Sequence, residues 1–351
     1  MNKISKGENM KTDSDVILEM LDSYITSASI GAAMELGLFW HLDQKTLSGQ
    51  EIAEILNLPT KRCHYWLQYL CKVDLLEQAP DGFSLTKKTQ SAIVDTYSKE
   101  TWALLAKESR EWYPVFQYLA SNLHEKGSLW KHTGSNPPNY IDQMSEDPER
   151  ARQFTRMLYE LHHQLAEEIA KILEMDQTNL LMDLGGGSGV VSMALLRRHP
   201  QLNALVVDIP NVCKAGFELA VENSIDDRLK YHPADFINDE LPKGFDMVLE
   251  CDVGVYDEDL FTKIRRSLTQ KGRYVIVDQF SVETGEAPLA RLSWALQGSL
   301  QDPDFSYLTV DEIISMLEQS GFQRVTSQEL PKFDSRTTTL TNDMYIITAH
   351  A

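Results

Sequence analysis

The stretch Met182-Asp183-Leu184-Gly185-Gly186-Gly187-Ser188-Gly189 constrains this chain more than any other part of it. An apolar run leads into it and a helical pattern, VVSMALLRRH, leads out. Glycines at a strand-to-helix junction let the backbone turn sharply and let a ligand approach with no Cβ in the way. That context makes the segment a candidate cofactor loop. The next apolar run, ALVVDI, ends on Asp208, where a carboxylate can accept both hydroxyls of a ribose. One strand further on, Tyr231-His232-Pro233-Ala234-Asp235-Phe236 ends where an adenine ring would lie. Asp235 would accept from the amino group, and Phe236 would form an apolar wall. Taken alone, Asp235 fits a helix cap or turn residue equally well.

The surroundings agree with such a loop. From Leu180 onward the short apolar runs LLMDLG, ALVVDI, DMVLE, YVIVDQF and MYIITAH alternate with helical patterns. The helical ones are VVSMALLRRH, VCKAGFELAVENS, DLFTKIRRSLTQ and VDEIISMLEQSG. Near-continuous apolar strands linked by helices predict a mostly parallel sheet covered on both faces, an α/β Rossmann-like domain over residues 174–351. The first 100 residues read differently. Val16 to Met34 carries apolar residues at helical spacing, and Ser48 opens SGQEIAEILNLP with Glu51 three residues on, a helix-start signal. A second helix is expected from Thr60 to Cys71, then a hairpin of LLEQ and FSL around Ala79-Pro80-Asp81-Gly82. Helix, turn, helix and hairpin describe an all-α and winged-helix domain over 1–100. A helical, aromatic-rich region is expected over 101–173, interrupted by the loop HTGSNPPN.

With 351 residues the chain can bury more than one core. A formal charge of −19 makes phosphate backbones and anionic lipid poor partners, so neither nucleic acid nor membrane is expected. The opening MNKISKGENMKTDSD has no apolar core, and no run is long enough to span a bilayer. Cys63, Cys71, Cys213 and Cys251 are scattered without ligand spacing. Reduced thiols, no metal and a cytoplasmic location are the expectation.

Taken together, DLGGGSG, VVDIP, the acidic ADF and the helical, winged first half resemble the caffeate and hydroxyindole O-methyltransferase family, with its bacterial polyketide and phenazine relatives. The resemblance runs from about Val16 to His350. It implies S-adenosylmethionine as cofactor, S-adenosylhomocysteine as product, and a homodimer built through the N-terminal domain. It also implies an antiparallel strand near Met344–Ala349. The implied cofactor residues are Asp183, Gly185, Gly186, Gly187, Asp208, Ile209, Asp235, Phe236, Glu250 and Cys251. Trp112, Tyr113, Met144, Phe154, Met157, Trp294 and Gln297 fall where the family lines its small-molecule acceptor pocket.

One departure matters chemically. Phenol-methylating members carry a His-Asp-Trp-x-Asp-Glu-like motif after the fourth strand, where the His takes the phenolic proton. This chain reads Glu250-Cys251-Asp252-Val253-Gly254-Val255-Tyr256-Asp257-Glu258 there. The His position falls on Val253 or, with an insertion, on Cys251. A phenol has a pKa of about 10, and a well-placed base contributes roughly 10²–10⁴-fold. Asp252 is the nearest substitute in sequence, and His162 or His163 could approach from the preceding helix. Three readings stay open: methyl transfer to a small aromatic or polyketide-like metabolite, S-adenosylmethionine chemistry of a hydroxylase or pericyclase kind without methyl transfer, and a winged-helix regulator that senses the cofactor. The regulator needs a basic strip on the second winged helix, where only Lys61, Arg62 and His64 stand.

Overall fold

A computed structural model describes residues 11–280, 289–333 and 344–351. The chain forms two compact units, the first ending at Glu111 and the second beginning at Trp112. The first unit contains α1 (Asp13–Leu21), α2 (Ser23–Glu35), α3 (Leu38–His41), α4 (Gly49–Ile55) and α5 (Thr60–Lys72), then β1 (Leu76–Ala79), β2 (Gly82–Leu85), α6 (Lys87–Thr89) and α7 (Lys99–Glu111). The boundary lies beyond residue 100 because α7 packs on α2, where Gly31 approaches Ala106. The single helix expected from Val16 to Met34 breaks at Asp22, a residue of low helix propensity that leaves the helical conformation there. Ser48 starts α4 as its spacing predicts. Its hydroxyl accepts from the Glu51 amide at 3.2 Å, and the Glu51 carboxylate accepts from the Ser48 amide at 2.7 Å. The hairpin forms, and β2 also bonds to Leu47, completing a small wing.

The second unit begins with α8 (Tyr113–Gln117), α9 (Leu119–Asn122), α10 (Tyr140–Glu146) and the long α11 (Pro148–Ile172). It continues with β3 (Leu180–Leu184), α12 (Val190–Arg198), β4 (Asn203–Asp208), α13 (Pro210–Glu222), β5 (Leu229–Pro233), β6 (Phe245–Cys251), α14 (Glu258–Ser267) and β7 (Leu268–Gln279). Last come α15 (Leu289–Gln301), α16 (Val310–Gln319), β8 (Gln323–Glu329) and β9 (Met344–His350). Seven strands form one sheet in the order β5-β4-β3-β6-β7-β9-β8. All pairings are parallel except those of β9, which runs antiparallel to both neighbours. The expected helix through Gln270 stops at Ser267, whose buried hydroxyl bonds back to the Ile264 carbonyl at 2.6 Å, and β7 starts at once. Strand β8 has no counterpart among the apolar runs because it is an edge strand with largely exposed side chains.

Two apolar layers sandwich the sheet. Leu181, Val206, Leu249 and Val277 point to one face, against Leu165 and Ile169 of α11 and Leu195 of α12. Met182, Val248, Tyr274 and Ile276 point to the other, against Phe261 of α14 and Leu317 of α16. Strand order reverses at β3, with β4 on one side and β6 on the other. In open α/β sheets a ligand crevice forms beyond the strand ends at that switch point.

Glu250 belongs to the second layer. It is 1% exposed, accepts a hydrogen bond from the Tyr274 hydroxyl, and leaves its Oε1 without a partner among the described residues. Burial, with some help from the Asp278 charge and against the Tyr274 bond, pushes its carboxyl up to about 8. The folded chain therefore holds a proton that the unfolded chain has released. This group's contribution to stability falls as pH rises from the ordinary carboxylate range through about 8, on the order of a few kcal/mol in all. Glu250→Gln cannot ionise. Its melting temperature minus that of the parent, both without ligand, should grow from about pH 5 to about pH 8. A difference that stays flat over that range contradicts the buried-acid assignment.

Candidate active site

The glycine loop fills the switch point. Gly185, Gly187 and Gly189 have φ of +66°, +53° and +74°, a region that side-chain-bearing residues rarely enter. Gly186 is required for another reason, since a Cβ there would stand 2.4 Å from the Asp183 carboxyl carbon. Beyond the missing Cβ of Gly187 there is open space. Asp183, at the end of β3, is 1% exposed. One of its oxygens accepts from Ser192 at 2.6 Å, and the other has no partner among the described residues. Burial raises its carboxyl to about 6, against the pull of the Ser192 bond.

Asp208 closes the same crevice from β4. Its Oδ2 accepts from the Gly187 amide at 3.0 Å and its Oδ1 from the Ile209 amide at 2.7 Å. Each oxygen keeps a lone pair for a further donor. Burial again dominates, raising this carboxyl to about 6. Ile209 itself turns inward and packs with Met144, Ala151 and Val212. Tyr140 was not among the expected residues, yet it stands near Asp208, whose charge adds to burial in raising the phenol.

Asp235 and Phe236 follow β5 in a tight polar turn. Asp235 accepts from the Ile237 amide at 3.0 Å and the Asn238 side chain at 2.7 Å, so it is a turn residue as well as a candidate contact. The Asn238 bond outweighs a small burial effect, and its carboxyl sits below the usual range. The Phe236 ring edge comes within 3.5 Å of the Cβ position of Gly185, and Val253 presses on the same point. Phe236, Val253 and the glycine loop therefore converge.

Two residues expected from the β6 end part company. Cys251 lies on the Asp183 face, its thiol raised first by burial and then by the Asp252 and Asp183 charges. Glu250 does not belong to the crevice, and the expectation for it is corrected. Asp183 pairs with Leu249 in register, so the next residue points to the opposite face, where Glu250 meets Tyr274.

Asp252 and His162 meet. His162 Nε2 lies 3.1 Å from Asp252 Oδ2, although 90 residues separate them. Asp252 holds φ +55°, its amide bonded to the Val277 carbonyl. That left-handed turn carries the chain off the end of β6. Burial pushes the Asp252 carboxyl up, but the His162 bond and charge, with Arg291, outweigh it and leave the group below its ordinary value. An ionised carboxylate has no proton to donate, so Nε2 carries the proton of this bond, and in the neutral form of the ring the lone pair is on Nδ1. His163 is exposed and stacks edge-on with Tyr159.

Asp252 and Val253 also line a cavity of about 350 Å³ with Tyr256, Asp278, Phe280, Arg291, Trp294, Phe305 and Tyr307 among its walls. The Arg291 guanidinium stacks 3.7 Å from the Tyr307 ring, and the Tyr256 hydroxyl donates to Asp278. Of the seven expected acceptor residues, Trp294 is on this wall. The others sit elsewhere. Met144 is fully buried against Ile209 and Val212, and Met157 is 4% exposed. Phe154 stacks on Tyr140, and Trp112 on Trp130. Tyr113 is 38% exposed, and Gln297, one turn along α15 from Trp294, is not among the described residues that line the cavity. Helical spacing shows that a Met or Trp faces inward; it does not separate core from pocket. Asp278 could have been found, because it ends an apolar run at the same sheet edge as Asp208. Arg291 and Tyr307 carry no local signal.

The sheet order, the glycine crevice and the carboxylate at the end of β4 define a class I methyltransferase fold with a helical N-terminal unit. Residues 116–323 match the O-methyltransferase domain, and the chain belongs to that family. It is an S-adenosylmethionine-dependent methyltransferase. Among curated proteins it is 24% identical over 311 residues to the N,N-dimethyltransferase OxyT of Streptomyces rimosus, covering 88% of this chain and 90% of that one. Solved structures of PigF with SAH and of human N-acetylserotonin methyltransferase in complex with SAM superpose with TM-scores of 0.81 and 0.77. Identities are 16% and 18%, covering 97% and 98% of this chain and 100% and 99% of those chains, a likeness of fold.

The crevice fits the cofactor on its own chemistry. Two desolvated carboxylates, one with an unpartnered buried oxygen, lack what an adenosyl sulfonium offers: hydroxyl donors and positive charge. No group of His, Cys, Asp and Glu among the described residues could hold a metal ion. No described helix is long and apolar enough to cross a membrane.

Proposed function

We propose that the chain methylates a hydroxyl oxygen of a small aromatic or polyketide-like metabolite, with His162 as the base and Asp252 as its anchor. The observation that carries this reading is the hydrogen bond from His162, behind the wall, to Asp252, which lines an aromatic-walled cavity. The bound cofactor supplies an electrophilic methyl on a sulfonium. The chain's residues do the rest. Asp208 takes the ribose hydroxyls, Asp235 and Phe236 hold the adenine, and the backbone of Gly185–Gly187 with Asp183 receives the methionine end. Trp294, Phe305 and Tyr307 would clamp a flat acceptor. Asp252 is a weak base because its carboxyl is held low, so it orients His162, and Nδ1 takes the proton directly or through one water. With an imidazole supplied from α11, the gap at Val253 and Cys251 no longer favours chemistry without methyl transfer.

Labelled S-adenosylmethionine and a panel of phenols, hydroxynaphthoates and aromatic amines test this. S-adenosylhomocysteine and an O-methyl product are the expected yield. Product formed without S-adenosylhomocysteine overturns methyl transfer. A second reading, N-methylation, is favoured by Asp278. It is 6% exposed and lines the cavity beside Asp252, so two carboxylates face one guanidinium and an amine is attracted. N-methylated amines in the same panel, with phenols inert, select it.

We also infer a homodimer through the first unit, and a cytoplasmic site of action in keeping with the four free thiols. Helix α1 buries none of its side chains, leaving Leu18, Met20 and Leu21 60%, 64% and 70% exposed. Such a stripe calls for a partner surface. Light scattering should find a dimer, and Leu18→Asp with Leu21→Asp should shift it to monomer. A monomeric parent chain refutes the dimer.

A further inference from the structure

Lys263 lies on α14, outside the glycine crevice, and belongs to no motif. Its Nζ donates to three backbone carbonyls of one short segment: Phe236 at 3.1 Å, Ile237 at 2.8 Å and Asp239 at 2.8 Å. That segment carries Asp235 and Phe236. The rest of its shape also comes from polar contacts, since the Asp235 amide donates to Asp239 Oδ2 at 2.9 Å and the Asp239 amide to the Asp235 carbonyl at 2.7 Å. Phe236 packs against the second apolar layer, but Ile237 is 43% exposed, so the 237–239 end of the turn is held by these polar contacts. An ammonium has three N–H donors, and here all three have an acceptor. The same cation also sits near the Asp235 carboxylate.

We propose that Lys263 is a positioning residue for adenine recognition, its ammonium gathering the 236–239 carbonyls so that Asp235 and Phe236 are set before the cofactor arrives. The inference rests on Asp235 and Phe236 forming the adenine end. Without the ammonium the three carbonyls turn to water, the segment samples other shapes, and binding must reorder it. The methionine and ribose contacts, on β3 and β4, stay as they are. The loss should therefore fall on the base and spare the rest of the ligand.

Calorimetry with S-adenosylhomocysteine and with S-inosylhomocysteine, which lacks the adenine amino group, reads this directly. Lys263→Met keeps the aliphatic stem and removes the charge; Lys263→Gln is the second variant should the first not fold. Either should weaken S-adenosylhomocysteine about tenfold and weaken the inosyl compound much less, shrinking the discrimination between them. Turnover at saturating cofactor should change less than twofold. An unchanged S-adenosylhomocysteine affinity, or an equal loss for both ligands, overturns the proposal. Asp235→Ala provides the control. If it leaves affinity intact, the adenine assignment itself is wrong; if it weakens binding while the Lys263 variants do not, only the role of Lys263 fails.

Discussion

His162→Ala is expected to lower kcat for a weakly acidic phenol by about 10²–10³-fold while leaving S-adenosylhomocysteine affinity unchanged. A phenol of pKa about 10 is almost wholly protonated at neutral pH, and its oxygen is a poor nucleophile until the proton leaves. Asp252 cannot take that proton efficiently, because the His162 bond and Arg291 hold its carboxyl low against the effect of burial. The imidazole beside it can. Asp252→Asn should then cost less than the alanine change at His162, since it replaces the charged orienting acceptor with a neutral amide and keeps the ring. Acceptor acidity gives the sharper test. A nitro-substituted phenol, already ionised, needs no base and should lose little in His162→Ala. Equal losses for acidic and weakly acidic phenols would show that His162 shapes the cavity and does not move a proton.

The parts of this site that were readable in sequence are those held within one βαβ unit. Asp183 and the glycines depend on a strand, a turn and a helix start, and Asp208 on the strand that follows, each with a local signal; the fold then bonds Asp208 to the Gly187 amide. Asp252 and His162 were each candidates in the sequence, but their pairing had no such signal. It depends on how α11 lies across the sheet and on the left-handed turn at Asp252, neither of which has a local spacing. Glu250 failed for a simpler reason. Strand parity was decidable only once Asp183 was known to pair with Leu249, and one residue of register exchanges the crevice for the opposite layer. Met144 and Met157 show the limit of helical periodicity, which reports burial and is silent on whether a ligand or a neighbouring helix does the burying. Strand β8 escaped notice because it lacks an apolar run; its backbone pairing with β9 maintains it at the sheet edge.

Asp208→Ala is expected to weaken S-adenosylhomocysteine by about 10²–10³-fold, the largest loss in binding among the crevice residues. Two losses combine. The ribose hydroxyls lose a charged acceptor, each such bond being worth about 1.5–3 kcal/mol. The Gly187 and Ile209 amides, which now donate to the carboxylate at 3.0 and 2.7 Å, are left to find other partners, and the glycine loop loosens. A 2′-deoxy analogue separates the two. If Asp208 grips that hydroxyl, the analogue binds the parent chain weakly and Asp208→Ala adds less to its loss than to that of the full ligand. Independent, additive losses would place the carboxylate under the loop and away from the sugar. The pH dependence carries its own sign. Burial raises Asp208 to about 6 in the ligand-free chain, and the ionised form is the one that accepts hydroxyl donors. Affinity should therefore hold above about pH 6 and fall below it as the carboxyl protonates. Asp183 is raised to the same value, so part of the fall should persist in Asp208→Asn. A variant profile identical to that of the parent assigns the whole titration to Asp183 and removes Asp208 from the cofactor's grip.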